Sequence, residues 1–456
     1  MNEWLYRQLY FGVQFLRGEH VHRRLKELES TQWMPLQELK TLQWAKLSDL
    51  LEHSYGRSPH YRRKLDAAGL RPGDIKGPED LSKLPLLTRE EVTIDSREIL
   101  IKGFGRTTVN HSSGTTGAPL TLYLSREALG YHHAAQWRGF SWYGLKPGQP
   151  NAKIWGYPLF PSKYSYEAMK DYLLKRLRLS AFKLSELEMS RFYEKCLRKR
   201  PLYLYGYASA LARFADFVKT AGGSSGSWRP KVVISTSEIL YGWQRRIIED
   251  AFNCPVADEY GASEVGVIAF QCTHGGLHLS MENVYLEVLK LDSNEPVQTG
   301  EAGRVVVTCL RNFAFPVIRY DLGDCAALSE KRCACGRGLP LVESIQGRVN
   351  DLMLARDGSP VHSELLSYIN RALESMGLGI GEYVVVQKSL ERLALLVNRD
   401  TELSEEVERY MREQLGRFLG EDVQLTVERV DALPRDKSGK IRYFISEVAE
   451  GRIHGG

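Results

Sequence analysis

Between Gln37 and Gly69 the apolar residues recur at three- and four-residue intervals, the spacing that turns one face of a helix toward a core. The runs KIWGYPLF and KVVIST are short, apolar and bounded by polar helical stretches, which predicts parallel strands joined by helical crossovers. LKPGQ and RPGD mark turns, and Thr220 to Trp228 (TAGGSSGSW) reads as a flexible surface loop before the second strand. After Glu264 the pattern changes. HLSMENVYLEVLKL, GRVVVTCL and PVIRYDLGDCAAL alternate with turn residues, as antiparallel strands do. From Asp351 onward come DLMLARDGSPV, a helix near Ser363–Met376, the strand-like YVVVQKS and RLALLVN, a helix over Glu402–Leu419 and the strand DVQLTVERV. These make an α+β unit of about 100 residues, an ordinary small-domain size. The sequence thus predicts an α/β protein with parallel and mixed sheets in residues 1–346, a boundary at 347–351, and a small mobile α+β domain over 352–456.

Trp4 to Lys26 mixes aromatics with arginines and histidines at roughly helical spacing, within a peripheral segment over residues 1–36. Such a helix can lie on a membrane surface. The plainer reading is a packing helix with its aromatics against the main domain and its basic residues in solvent.

Composition narrows the class. A chain of 456 residues with 43% hydrophobic and 26% charged content is an ordinary globular protein, long enough for two unequal folded units. A net charge of +5 suits an anionic small ligand, and no basic stripe suggests nucleic acid. No apolar run is long enough to span a bilayer and no secretory leader is evident. Seven cysteines, an odd number in a large chain, argue for a reduced cytoplasmic protein over a disulfide framework.

Five segments carry candidate chemistry. SSGTTGAP (Ser112–Pro119) offers hydroxyls and exposed backbone N–H groups, as a phosphate cradle does, but lacks the Gly-Lys-Ser/Thr ending of a Walker loop. DEYGASEVG (Asp258–Gly266) sets an aromatic beside a glycine, able to stack on a purine, with a carboxylate a few residues on that can hold Mg²⁺. FPVIRYDLGD (Phe315–Asp324) ends in an acid suited to ribose hydroxyls; both acids could instead cap turns. GRVND (Gly347–Asp351) lies at the domain boundary. PRDKSGKI (Pro434–Ile441) puts lysines on a glycine-containing loop, where a point charge can offset a developing phosphate–carboxylate transition state or simply be solvated.

In this order the five segments resemble the adenylate-forming superfamily of acyl-CoA synthetases, peptide-synthetase adenylation domains and luciferases. The match is closer to its phenylacetate–CoA ligase branch, including relatives associated with capsule and polysaccharide biosynthesis. The resemblance spans roughly Gln37 to Ile445. It implies that Ser112, Ser113, Gly114, Thr115, Thr116 and Gly117 wrap the ATP phosphates, with Leu120 where most members place a lysine. Ser237 and Glu238 would contact adenine and the acyl pocket. Tyr260 with Gly261 would stack on adenine, Ser263 would touch phosphate, and Glu264 would bind Mg²⁺. Asp324 matches the ribose-binding acid, Arg348 the arginine that reaches ribose and phosphate, and Lys440 the adenylation lysine, with Lys437 as fallback. Asn350 occupies the hinge position, with Asp351 beside it. The implied reaction joins a carboxylic acid to AMP, releasing pyrophosphate, then passes the acyl group to coenzyme A. A carrier protein, or an amine or hydroxyl of a sugar, is the other acceptor class, and a non-catalytic nucleotide-binding relative or a homodimer also fits the family.

Cys333 and Cys335 form a C-x-C-G element, and CTHGGLH supplies Cys272 and His278 upstream, a plausible closed tetrahedral Zn²⁺ set that several phenylacetate-type relatives resemble. His274 competes with His278, C-x-C is tighter than the usual C-x-x-C, and reduced core cysteines are the plainer alternative. Trp155, Tyr157, Tyr205 and Tyr207 fall on strand ends and could line an aromatic-acid pocket, although such stripes are more often core.

Overall fold

The computed structural model describes residues 3–111, 120–155, 168, 171–172, 174–181, 184–220, 228–348, 352–356, 360–362, 364–378, 380, 382–434 and 443–448. The N-terminal segment is two helices, α1 (Glu3–Leu16) and α2 (Val21–Thr31), where the sequence suggested one. Gly18 and His20 take positive φ (76° and 45°) between them, which ends the first helix. The expected inward packing of aromatics holds only in part: Tyr10 contacts Trp137 at 5.8 Å between ring centroids, whereas Trp4 and Phe15 are exposed.

The helical spacing after Gln37 becomes α3 (Leu36–Arg57) and α4 (Pro59–Ala67). Next, α5 (Arg89–Ile99) opens on a reciprocal cap: Thr88 Oγ1 accepts the Glu91 N–H at 3.2 Å and Glu91 accepts the Thr88 N–H at 2.8 Å. A hairpin of β1 (Thr108–His111) and β2 (Thr121–Leu124) then brackets the hydroxyl-rich segment and leads into α6 (Arg126–Ser141).

Eleven of the described strands form one sheet. Its parallel half runs β4 (Arg176–Ser180), β3 (Asn151–Trp155), β5 (Tyr203–Tyr207), β6 (Val232–Thr236), β7 (Val256–Ala262). All five residues of β6 are buried, as expected for a parallel strand covered on both faces. Beyond β7 every neighbour is antiparallel: β8 (Gly266–Gln271), β9 (Leu277–Leu279), β13 (Leu341–Arg348), β12 (Tyr320–Ser329), β11 (Ala302–Cys309) and β10 (Val284–Leu289). The change of direction falls between β7 and β8, at Glu264, where the sequence pattern also changes.

The C-terminal unit is a separate small α+β domain. It has a hairpin of β14 (Leu352–Leu354) and β15 (Pro360–His362), and a four-stranded sheet ordered β18 (Gln424–Val430), β17 (Arg392–Asn398), β16 (Tyr383–Gln387), β19 (Phe444–Ser446). Its core joins Leu373, Val385, Leu395 and Met411. The helix expected over Glu402–Leu419 begins at Glu405, because Ser404 Oγ caps it by accepting the Val407 N–H at 3.3 Å.

Candidate active site

The site residues come from the two halves of the sheet. Tyr260, on β7, donates its hydroxyl to Asp324 Oδ2 on β12 at 2.7 Å. In sheet order β8, β9 and β13 stand between those strands, a gap of roughly 19 Å if the sheet were flat. The contact therefore requires the antiparallel half to curl back over the end of β7. Asp324 also pairs across the β12–β13 ladder with Arg348, so strand register alone sets these two positions side by side.

Glu264 lies in the turn between β7 and β8, only 7% exposed, with the Tyr320 hydroxyl donating to its Oε1 at 3.5 Å. Glu264 and Asp324 both face tyrosine hydroxyls, and Asp321 in the same segment accepts the Gly323 N–H at 3.0 Å. The Ser263 carbonyl accepts from Asn110 Nδ2 at 3.4 Å, so the β1–β2 hairpin that brackets the hydroxyl-rich segment reaches this turn. Ser237, just past β6, is exposed with φ of 65°, and Glu238 accepts the Ser209 N–H at 2.8 Å, bringing a carboxylate to the N-terminus of the helix Ala208–Thr220. Gly261 follows Tyr260 on β7, where an added Cβ would meet the Gly266 carbonyl oxygen at 2.9 Å.

Ser112–Gly117, Tyr157, Asn350, Asp351, Lys437 and Lys440 lie outside the described residues, as does the Arg348 side chain.

Beside Tyr260 lies a buried polar network that the sequence reading missed. Strand alternation turns Glu259 to the opposite face of β7. There its carboxylate accepts from Tyr205 Oη at 2.7 Å and from Thr236 Oγ1 and Gln136 Nε2, each at 3.2 Å. Burial raises the Glu259 pKa, partly countered by these donors. Tyr207 and Thr236 end β5 and β6, and Glu259, midway along β7, is the register partner of Thr236, at the edge of the parallel half where open α/β sheets bind ligands. Trp155 stacks on Tyr205 (5.6 Å, 18°) and contacts Tyr207 at 4.3 Å, so three of the four candidate aromatics do come together, Tyr205 among them touching the carboxylate. One helical turn from Gln136, His132 presses its ring against Gly266, where an added Cβ would come within 2.5 Å. Its Nε2 is buried with no hydrogen-bond partner among the described residues, and burial lowers its pKa to about 4, so the ring is neutral. Strand alternation in DEYG shows only that Glu259 and Tyr260 face opposite ways; that Glu259 is buried depends on partners from other strands.

The Cys/His set converges. Donor atoms of Cys272, His278, Cys333 and Cys335 all lie within 4.8 Å of one another. Cys272 Sγ and Cys333 Sγ are 3.5 Å apart, and Cys335 Sγ is 3.2 Å from His278 Nε2. Tetrahedral zinc with bonds of about 2.3 Å to sulfur and 2.0 Å to nitrogen puts its ligand atoms roughly 3.5–3.8 Å apart, so the donors fit that ion. His278 Nδ1 lies 3.2 Å from the Leu339 carbonyl; donating there leaves Nε2 as the acceptor facing the thiols. Burial lowers the His278 pKa to about 4. Cys335 is held below the usual thiol value: burial opposes ionisation, but the backbone and side chain of Arg337 outweigh it. The competing residue, His274, only donates its N–H to Cys272 Sγ at 3.4 Å and turns its Nδ1 toward Thr273. Gly276 permits the approach, since a Cβ there would sit 2.8 Å from Cys333 Sγ.

Solved structures with this architecture place the fold among the adenylate-forming ligases. A 2-hydroxyisobutyryl-CoA ligase in its postadenylation state, in complex with 2-HIB-AMP, superposes with a TM-score of 0.69 over 93% of this chain and 92% of its own, at 20% identity. Within that class the chain is similar to phenylacetate–CoA ligases and to CapK. The Escherichia coli phenylacetate-coenzyme A ligase is 24% identical over 419 residues, covering 86% of this chain and 92% of the relative. Protein CapK of Staphylococcus aureus is 22% identical over 374 residues, 81% of each chain. Residues 353–447 match the CapK C-terminal domain.

Proposed function

We propose that the protein is an adenylate-forming acid–thiol ligase, which joins a carboxylic acid to AMP with release of pyrophosphate and then passes the acyl group to coenzyme A. The observation that carries this reading is the 2.7 Å bond from Tyr260 to Asp324, which unites an adenine-type aromatic and a ribose-type acid from segments 64 residues apart. Tyr260 with Gly261 packs against the adenine, Asp324 and Arg348 hold the ribose, and Ser237 and Glu238 border the base and the acyl group. Ser112, Ser113, Gly114, Thr115, Thr116 and Gly117 surround the phosphates, with Ser263 beside them.

Attack of a carboxylate on the α-phosphorus gathers negative charge from both partners, so the chain must offset it. Lys440 does so from the C-terminal domain and the loop hydroxyls from the large one. The Glu264 carboxylate would hold Mg²⁺, which would supply further charge neutralisation. Rotation of residues 352–456 about Asn350 and Asp351 then withdraws Lys440 and admits the thiol, a two-state motion that requires lysine and nucleotide residues to sit on separate units (1–346 and 352–456).

Cys272, His278, Cys333 and Cys335 hold a structural Zn²⁺: with four protein ligands no position is left for a catalytic water. Reduced thiols in such a site suit the cytoplasm.

A second reading keeps the adenylation step but delivers the acyl group to a carrier protein or to a sugar amine or hydroxyl; the match of residues 353–447 to the CapK C-terminal domain favours it. Pyrophosphate release measured over a panel of carboxylic acids, with and without coenzyme A, tests both. Acid-dependent release with thioester formation supports the first reading, and release without thioester supports the second. No release with any acid while ATP still binds would leave a non-catalytic relative.

A further inference from the structure

The exposed half of α1 has the wrong composition for a surface in water. Trp4, Leu5, Leu9, Val13, Phe15 and Leu16 are 59%, 46%, 45%, 45%, 63% and 85% exposed. Leu5, Leu9, Val13 and Leu16 follow four-, four- and three-residue steps, which align them in one stripe, with Trp4 and Phe15 at its border. Gln8 and Gly12 fill the rest of that half, so it carries no charge along its length. The opposite face is already occupied: Tyr10 Oη accepts the Trp137 indole N–H at 2.8 Å, and Lys175 Nζ sits 3.8 Å over the Tyr6 ring. The outward stripe is therefore a second apolar face, beyond what packing to the body of the protein uses. Scattered apolar residues on a surface are ordinary, whereas a contiguous apolar half-helix marks a contact.

The surroundings of the stripe indicate what covers it. His22, Arg23 and Lys26 on α2 are exposed, and the two helices are locked by ring contacts of Phe11 with His22 (4.7 Å) and Phe15 with His20 (5.0 Å). Arg17, with its side chain 46% exposed, lies in the turn between them. Of the acids nearby, Glu19 is fully buried between Arg17 and His133, and Glu3, though exposed, is on the face of α1 turned from the stripe and accepts a bond from Gln149 at 2.7 Å. An uncharged apolar strip beside a cationic border matches an anionic lipid surface, into which such a helix sinks side-on while the basic residues meet the headgroups. A second copy would set the two cationic borders near each other across a two-fold axis, which is unfavourable.

We infer that the α1–α2 hairpin is a membrane-surface docking element for anionic lipid. Co-sedimentation of the full chain with phosphatidylcholine vesicles, with and without phosphatidylglycerol, tests it. Binding is expected to the anionic vesicles, to weaken as salt is raised, and to fall about tenfold or more in Leu9→Glu and in the pair Arg23→Glu, Lys26→Glu. All three sites are exposed, so unchanged melting temperatures confirm that the variants fold. Equal binding of parent and variants, or none to anionic vesicles, overturns the inference. A dimer in light scattering that Leu9→Glu converts to monomer would assign the stripe to a second copy and overturns it as well.

Discussion

The β12–β13 hairpin carries two unlike sets of side chains at its two ends. At its open end Asp324 and Arg348 are paired residues, and Asp324 is engaged by a hydroxyl from another strand. At its closed end, roughly 23 Å away along β13, Cys333 and Cys335 meet Cys272 and His278 of the β8–β9 hairpin. The first set is drawn from three strands: the Asp324 carboxylate, the Tyr260 hydroxyl that donates to it, and the backbone position of Arg348. The second is complete, with four donors facing one point and the histidine fixed from behind by a carbonyl. The proposed function gives the chemistry to the first end and the setting of register to the second. Among the described residues the ladder between β9 and β13 is two residue pairs long, Leu341 with His278 and Val342 with Leu277. A junction that short needs a clip, and the Cys/His set sits at it.

If the two ends divide the labour this way, the largest effect belongs to the clip. Stripping metal with a chelator, or substituting Cys333→Ser, should remove about one zinc per chain and lower stability by several kcal/mol, because metal binding free energy is also folding free energy. Elemental analysis and thermal melts check this, and protein purified without chelators that contains no zinc would break the comparison. Next comes Glu264→Gln, expected to slow adenylation about a hundredfold, roughly 3 kcal/mol in the barrier, with an unchanged melting temperature. Loss of stability in that variant would mean that the buried carboxylate serves the fold. Smaller still is Tyr260→Phe, which removes one hydroxyl from Asp324 and should raise KM for ATP about fivefold, about 1 kcal/mol, with kcat little changed. If kcat falls while KM holds, the hydroxyl acts in the transition state instead.

Much of this contrast was legible along the chain, for identifiable reasons. The switch from parallel to antiparallel strands at Glu264 shows because crossover helices disappear from the sequence there. The four metal-type donors are recognisable as residue types, His278 included, and the fold decides against the competing His274, since only His278 lies on a strand that pairs with β13. That both halves form one curled sheet was not readable: β9 and β13 share two residue pairs and leave no pattern. Strand β4 escaped notice because RLRLS, with polar residues at every second position, resembles a solvated turn as closely as an edge strand. Glu259 was passed over for a related reason. Nothing in DEYG distinguishes a carboxylate that will be buried against Tyr205 from one in water, because its partners come from β5, β6 and α6. The N-terminal helix was read with its aromatics inward, but amphipathic spacing cannot show that a helix has a second apolar face.

The central claim, that the C-terminal domain brings a catalytic lysine to the nucleotide end for the first half-reaction only, is tested most directly by single-turnover kinetics of Lys440→Ala. Two steps are followed in the same variant: pyrophosphate release from ATP and acid, and thioester formation from a pre-made acyl-adenylate and coenzyme A. The account predicts that the first falls about a hundredfold or more, as for loss of one charge-stabilising contact, while the second stays within about twofold of the parent. Equal loss of both steps in a normally folded variant, or loss of neither, would contradict it.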